Sequence, residues 1–116
     1  MEGVEMTYDQ VLVAFGLYER VLRERGAQPI EVPHSRCPTS SQEALNHALH
    51  MLEQMCDTRN FCKLTNFKWY LLELGFSPRL VLGKRWEKLM RWLGFVQAIL
   101  WGIGIFTLDE LKSHNR

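Results

Sequence analysis

Apolar side chains recur every three or four residues along several segments of the chain, which is the spacing of one face of an α-helix. Val11, Phe15, Tyr18 and Leu22 form the clearest of these stripes. No segment shows the strict alternation of a half-buried β-strand, so we expect an all-α fold. The pattern predicts four main helices and a short C-terminal helix, over residues 7–26, 39–56, 61–75, 84–101 and 108–114.

Local signals indicate where these helices begin and what joins them. Residues 27–38 contain three prolines and predict an extended linker between the first two helices. Residues 76–83 fit either a short helical turn that begins at Ser77-Pro78 or an extended segment. The whole chain, residues 1–116, has the length of a single domain. Capping boxes are expected at Thr7 with Gln10, at Ser40 with Glu43 (or Thr39 with Gln42), and at Thr107 with Glu110.

The most apolar part of the chain is RWLGFVQAILWGIGIF, residues 91–106. A membrane-spanning helix needs about 20 apolar residues. The run from Trp92 to Phe106 is shorter than that, and Gln97 interrupts it. We therefore predict a central apolar helix near 84–102 in a compact bundle. Because its apolar side chains lie on every side, a chain this short leaves part of the helix uncovered, and we expect a homo-oligomer that buries the remainder.

Composition and charge narrow the classes of partner. With 47% hydrophobic and 23% charged residues the chain is typical of a globular protein. Fourteen basic residues stand against thirteen acidic ones, so binding to nucleic acid through bulk charge is not favoured, and sequence-specific DNA binding is not expected. The first residues, MEGVEMTYDQ, lack the features of a signal peptide, and three cysteines without a framework spacing indicate free thiols. We expect a cytoplasmic protein.

Candidate residues for catalysis or metal binding are few. Cys37 lies three residues from His34 in the proline-rich linker, which is a loose arrangement for a nucleophile and its base. There is no CxxC or HExxH spacing, so polar packing at a helix contact is favoured over a zinc site. We expect no metal, no cofactor and no enzymatic activity. The residues from which a zinc site could be imagined are His47, His50, Cys56 and Cys62.

The most informative polar residues are the cations around the start of the fourth helix. Lys84, Lys88 and Arg91 fall at i, i+4 and i+7, which places them on one helical face. Three interpretations remain open: a solvated face, a site for a phosphate-bearing ligand such as a nucleotide, or a contact surface for an acidic protein. The full set of basic residues is Arg79, Lys84, Arg85, Lys88 and Arg91. The tryptophans that we expect to stack on a ligand or to line an interface are Trp86, Trp92 and Trp101.

Gln97 is a lone amide among apolar side chains. A buried amide without hydrogen-bond partners costs a few kcal/mol, so Gln97 must find partners. We expect it to bond to the backbone or to the same residue of a second copy, with contact to a ligand as the alternative.

The C-terminal segment EKLMRWLGFVQAILWGIGIFTLDELKSHNR resembles a family of small proteins encoded by bacteriophages and prophages. The shared features are R-W-L-G-F-x-Q, an L-W pair, a glycine turn and T-x-x-E-L-K, and the upstream segment NHALHMLEQM is similar to a histidine-containing helix of that family. Ala98 stands where the family often has glycine.

The resemblance implies an origin and a class of function. Short phage proteins without catalytic motifs often act by binding. The expected function is a phage-encoded binding protein that antagonises bacterial antiviral defence in the host cytoplasm. It would do so by blocking a CRISPR-type or other effector complex, or by sequestering a nucleotide signal. The alternative is a structural or DNA-metabolism accessory subunit of a phage.

Overall fold

The structure, a computed structural model, describes residues 6–56 and 66–115. Over these residues the fold is all-α, as predicted, and contains no strand. The described helices are α1 (Tyr8–Glu24), α2 (Ser41–Cys56), α3 (Asn66–Glu73), α4 (Pro78–Leu82), α5 (Lys84–Ile103) and α6 (Leu108–His114).

The predicted caps set the ends of the helices. The hydroxyl of Thr7 accepts from the Gln10 backbone N–H at 3.1 Å, and the Gln10 side chain accepts from the Thr7 N–H at 2.8 Å. Thr107 and Glu110 form the same box at the start of α6. At α2 only half of the predicted box is present. Ser40 accepts from the Glu43 N–H, but the Glu43 carboxylate accepts from the N–H of Thr39.

The core lies where α5 packs against α2 and α2 packs against α1. Each of these helices contributes an apolar stripe at helical spacing, which removes apolar surface from water and stabilises the fold. The central apolar helix predicted near 84–102 is confirmed as α5. The fully buried side chains with the largest volumes are Trp86, Tyr18, Leu22, Leu49, Leu52, Leu89, Leu100, Val11 and Val96.

Of the two conformations that fit residues 76–83, the structure contains the short helical turn, α4, over Pro78–Leu82. Pro78 stands at the first turn of α4, where its missing N–H costs nothing because that N–H would have no helical partner. Gly83, with φ of 59°, separates α4 from α5. This positive φ suits glycine and allows the chain to turn sharply between the two helices.

The third predicted helix differs in the face it buries. Its predicted start, with Phe61 and Leu64, lies outside the described residues, as does Cys62. Within α3 and the turn after it, Phe67 and Leu74 are 67% and 57% exposed, while Leu72 packs against the core. Spacing of three and four residues places Phe67 and Leu74 on the predicted apolar face of this helix, and their exposure shows that this part of the prediction is wrong. Apolar residues occupy nearly every position from 69 to 72, so spacing alone does not select the buried side.

Among the described helices, none is both long enough and apolar enough to cross a membrane. The longest of them, α5, begins with two turns rich in charged residues.

Candidate functional site

The exposed face of α5 carries most of the residues singled out from the sequence. Its first half, which we call the cationic turns, consists of Lys84, Lys88 and Arg91, all exposed. Its second half, which we call the apolar face, is also exposed. It carries two large aromatic side chains, Phe95 and Trp101, which are 53% and 52% exposed. The apolar face consists of Gly94, Phe95, Ala98, Trp101 and Gly102.

The remaining two cations lie beside the cationic turns. Arg85 is exposed in the first turn of α5. Arg79, on α4, places its guanidinium 3.6 Å from a carboxylate oxygen of Glu87. This exposed ion pair links the two helices and neutralises part of the local charge, so Arg79 contributes less positive potential to the face than its position in the sequence suggests.

The three predicted tryptophans have three different environments. Trp86 has no exposed surface, so it cannot stack on a ligand or line an interface in the folded chain, and that prediction for Trp86 is wrong. Trp92 is half-buried, and the ammonium of Lys88 lies 5.3 Å from the centre of its ring, which is a cation–π distance. Trp101 stands on the exposed apolar face.

Gln97 is buried and finds its partners within the chain. Its amide nitrogen donates to the Tyr18 hydroxyl at 2.9 Å and to the Asn115 side-chain oxygen at 2.8 Å. The Asn115 amide donates in return to the Gln97 oxygen at 3.4 Å. These side chains replace the expected partners, which were the backbone or a symmetry mate, and leave no polar atom of Gln97 pointing to a ligand.

The network continues from Tyr18 to α6. The Tyr18 hydroxyl is hydrogen-bonded to Nδ1 of His114 at 2.8 Å, and the rings of Tyr18, His114 and Phe106 pack together with centroids 4.9 to 5.8 Å apart. Burial raises the pKa of Tyr18, and the hydrogen bond from Gln97 acts in the opposite direction. The network thus fixes α1, α5 and α6 against each other.

A second polar cluster fixes the proline-rich linker to α2. The Val32 backbone N–H donates to Nδ1 of His47 at 3.0 Å, so this nitrogen must be unprotonated. Burial lowers the pKa of His47 below the ordinary 6.5, and the charge of His50, whose ring centre lies 6.0 Å away, lowers it further. The charge of Glu31 raises the pKa of His47. The carboxylate oxygens of Glu31 lie 3.1 Å from Nε2 of His34 and 3.9 Å from Nε2 of His50.

These histidines do not form a metal site together with the other described residues, since no three His, Cys, Asp or Glu side chains there converge on one point. His47 instead forms one wall of an open groove of about 330 Å³ between the linker, α2 and α5. The other walls are mostly apolar and include Val32, Phe95 and Ile99.

An ion pair holds the end of the linker at the start of α2. Two guanidinium nitrogens of Arg36 donate to the two carboxylate oxygens of Glu43, each at 3.0 Å. The Thr39 N–H and hydroxyl donate to the same carboxylate at 2.7 and 2.8 Å. Together these bonds, the largest from Arg36, lower the pKa of Glu43 to about 2. The predicted linker is therefore attached to α2 at Val32 and at Arg36.

Comparison with models of protein families, with curated proteins and with solved structures finds no match for this chain. The similarity of its C-terminal segment to phage-encoded proteins stays an expectation, and the exposed face of α5 is the feature on which a function can be argued.

Proposed function

We propose that this chain is a phage-encoded binding protein that antagonises bacterial antiviral defence by direct contact with a host effector complex, such as a CRISPR-type complex, in the host cytoplasm. The observation that carries the proposal is the line of Lys84, Lys88 and Arg91 along one exposed face of α5. Such a line of cations steers an acidic protein surface into contact and sets the orientation in which it docks. The phage origin rests on the resemblance of the C-terminal segment.

An acidic protein surface suits this face better than a small nucleotide does. A helix surface is convex, whereas small ligands are held in concave pockets that bury most of their surface. Trp86 is buried and Lys88 already lies against the ring of Trp92, so the cationic turns themselves offer little open aromatic surface on which a base could stack. A protein partner needs neither a pocket nor an open ring.

The test is rescue of phage in cells that carry an active antiviral system. Production of the chain in these cells should restore plaque formation. Components of the effector complex should co-purify with a tagged chain. Reversal of two charges, Lys84→Glu with Lys88→Glu, should abolish both effects. The matched control makes the same change of charge at the carboxyl end of α1, Arg20→Glu with Arg25→Glu, and should retain both effects. Equal activity of the two double variants would overturn the assignment of the surface, and failure of the wild-type chain to restore plaques would overturn the function.

Two other outcomes would replace the proposal. A thermal-shift screen with cyclic and linear nucleotides should give no stabilisation. A shift that Lys88→Ala and Arg91→Ala remove would instead indicate that the chain sequesters a nucleotide. Recovery of the chain in purified phage particles, with no effect on defence, would favour the accessory-subunit alternative.

A further inference from the structure

The apolar face of α5 is symmetric about Ala98. Gly94 and Gly102 lie four residues before and after it, and Phe95 and Trp101 lie three residues before and after it. At 100° per residue, Phe95 and Gly102 lie on one flank of the face, while Trp101 and Gly94 lie on the other. Each flank therefore carries one aromatic ring and one glycine, in opposite order along the helix axis.

This arrangement is self-complementary for two antiparallel helices. A two-fold axis beside Ala98 brings Phe95 of one copy to the height and flank of Gly102 of the partner subunit. The same axis brings Trp101 onto the partner's Gly94, so that every ring meets a position without a side chain. We propose that the chain forms a homodimer in which two α5 helices pack antiparallel, with Ala98 at the two-fold axis.

The described part of the chain gives these glycines no close packing neighbour. A Cβ atom placed at Gly94 or Gly102 meets no described atom within 4 Å outside its own stretch of helix. Both residues lie inside a regular helix, where glycine is less stable than alanine because it loses more conformational freedom on folding. A close approach of the partner's Phe95 and Trp101 accounts for the missing side chains.

Charge complementarity supports the same register. The antiparallel arrangement brings Arg91 to the height of the partner's Ile105, just beyond the end of α5. The carboxyl end of a helix attracts cations through its unpaired carbonyl groups. There the chain forms a shallow depression of about 640 Å³, lined by Trp101, Asp109 and Glu110 among others. Each copy thus offers one cation to an acidic, aromatic-lined depression of the other.

This inference does not depend on the proposed function. Arg91 lies within the dimer contact, so in the dimer the effector surface consists of Lys84 and Lys88. These two lysines precede the contact in each copy and remain exposed. Plaque rescue reports on those lysines, whereas the mass in solution reports on the apolar face. The two proposals can therefore fail separately.

The first experiment measures mass against concentration by sedimentation equilibrium. The wild-type chain should approach twice its 13.6 kDa mass at micromolar concentration or above. Gly94→Ala with Gly102→Ala should preserve the helix content and heat resistance of the monomer, but should raise the dimer dissociation constant by on the order of tenfold or more, because overfilled contacts are strained. The control is Gly16→Ala, also in a helix with open space at its Cβ, which should leave dimerisation unchanged. A wild-type chain that stays monomeric at every concentration overturns the proposal, and so does equal dimerisation of all the glycine variants.

The second experiment tests the register. Arg91→Glu and Asp109→Arg should each weaken the dimer, and the two together should restore it, because the exchanged charges still face each other twice in a symmetric contact. Ala98→Cys should form a disulfide-linked dimer on mild oxidation beyond any that the wild-type chain forms, whereas Val13→Cys, exposed on α1, should not. A dimer that forms without the Ala98→Cys cross-link, and without rescue by the charge exchange, overturns the antiparallel register.

Discussion

The side-chain amide of Gln97 donates to the hydroxyl of Tyr18 at 2.9 Å, although 79 positions separate the two residues in the chain. Their partners His114 and Asn115 come from the C-terminal end of the chain. Three helices that share an apolar core are thereby joined by directional bonds, which fix how α6 lies against α1 and α5. No buried side-chain nitrogen or oxygen among the described residues lacks a partner.

Tyr18→Phe should destabilise the fold by about 1–3 kcal/mol, because it removes a hydroxyl and leaves polar groups of Gln97 and His114 without that partner in a buried place. Urea unfolding followed by far-UV circular dichroism measures the loss. The double variant with Gln97→Met should lose less than the sum of the two single variants, since both changes break the same bond. Strict additivity would contradict a direct contact.

Because Gln97 lies among apolar residues, the sequence indicates that its amide needs hydrogen-bond partners. The sequence does not indicate which residues these partners are. Helical spacing places Tyr18 on the apolar stripe of α1, where it is buried, but nothing near it in the sequence indicates a partner for its hydroxyl. His114 and Asn115 lie in a polar tail whose composition suggests only exposure. Helix periodicity is a local property, whereas this network depends on how three helices pack, and only the folded chain brings those residues together.

Trp86→Ala should destabilise the fold by about 3–5 kcal/mol, because it leaves a large cavity at a fully buried position. Trp101→Ala should change the stability of the monomer by less than about 1 kcal/mol, since half of its surface is already in water. Both values come from urea unfolding at concentrations at which the chain is monomeric. Similar losses for the two variants would mean that their environments are not those described.

The two tryptophans show a second limit of inference from sequence. Both lie in the same helix, and spacing places Trp86 near the cations without showing that it faces the core. Trp86, Leu89 and Leu93 lie at helical spacing, and all three are buried. Burial is decided by how α5 packs against the other helices, and the sequence of one helix does not show that packing.

The fold should lose stability as the pH falls below about 6.5, through His47. The pKa of His47 is lowered in the folded chain, so the folded state favours the neutral ring that accepts from the Val32 N–H. This contribution is complete above the unfolded pKa of 6.5 and declines as the pH falls toward the lower folded value. His47→Asn, which keeps an acceptor that does not titrate, should flatten the decline. His34→Asn should preserve most of it, because the charge of His34 is the smallest of the causes that shift the pKa of His47. Stability is measured by urea unfolding between pH 8 and pH 5, and an unchanged slope in His47→Asn would contradict the assignment.

Glu43 controls a separate, more acidic transition. Its pKa of about 2 lies below the ordinary 4.5, so its contribution to stability is present above pH 4.5 and disappears as the pH falls from 4.5 to 2. Arg36 donates two parallel bonds that a lysine cannot reproduce, and Arg36→Lys should therefore raise the pKa of Glu43 toward 4.5. The rise should be incomplete, because the Thr39 N–H and hydroxyl still donate to the carboxylate. The measurement is an NMR titration of the Glu43 carboxyl carbon, with Arg23→Lys, which alters the ion pair with Glu53, as the control that leaves Glu43 unchanged. If Arg36→Lys left the midpoint near 2, the bonds from Thr39 would have to hold the carboxylate on their own, and Arg36 would contribute nothing to the attachment of the linker at the start of α2.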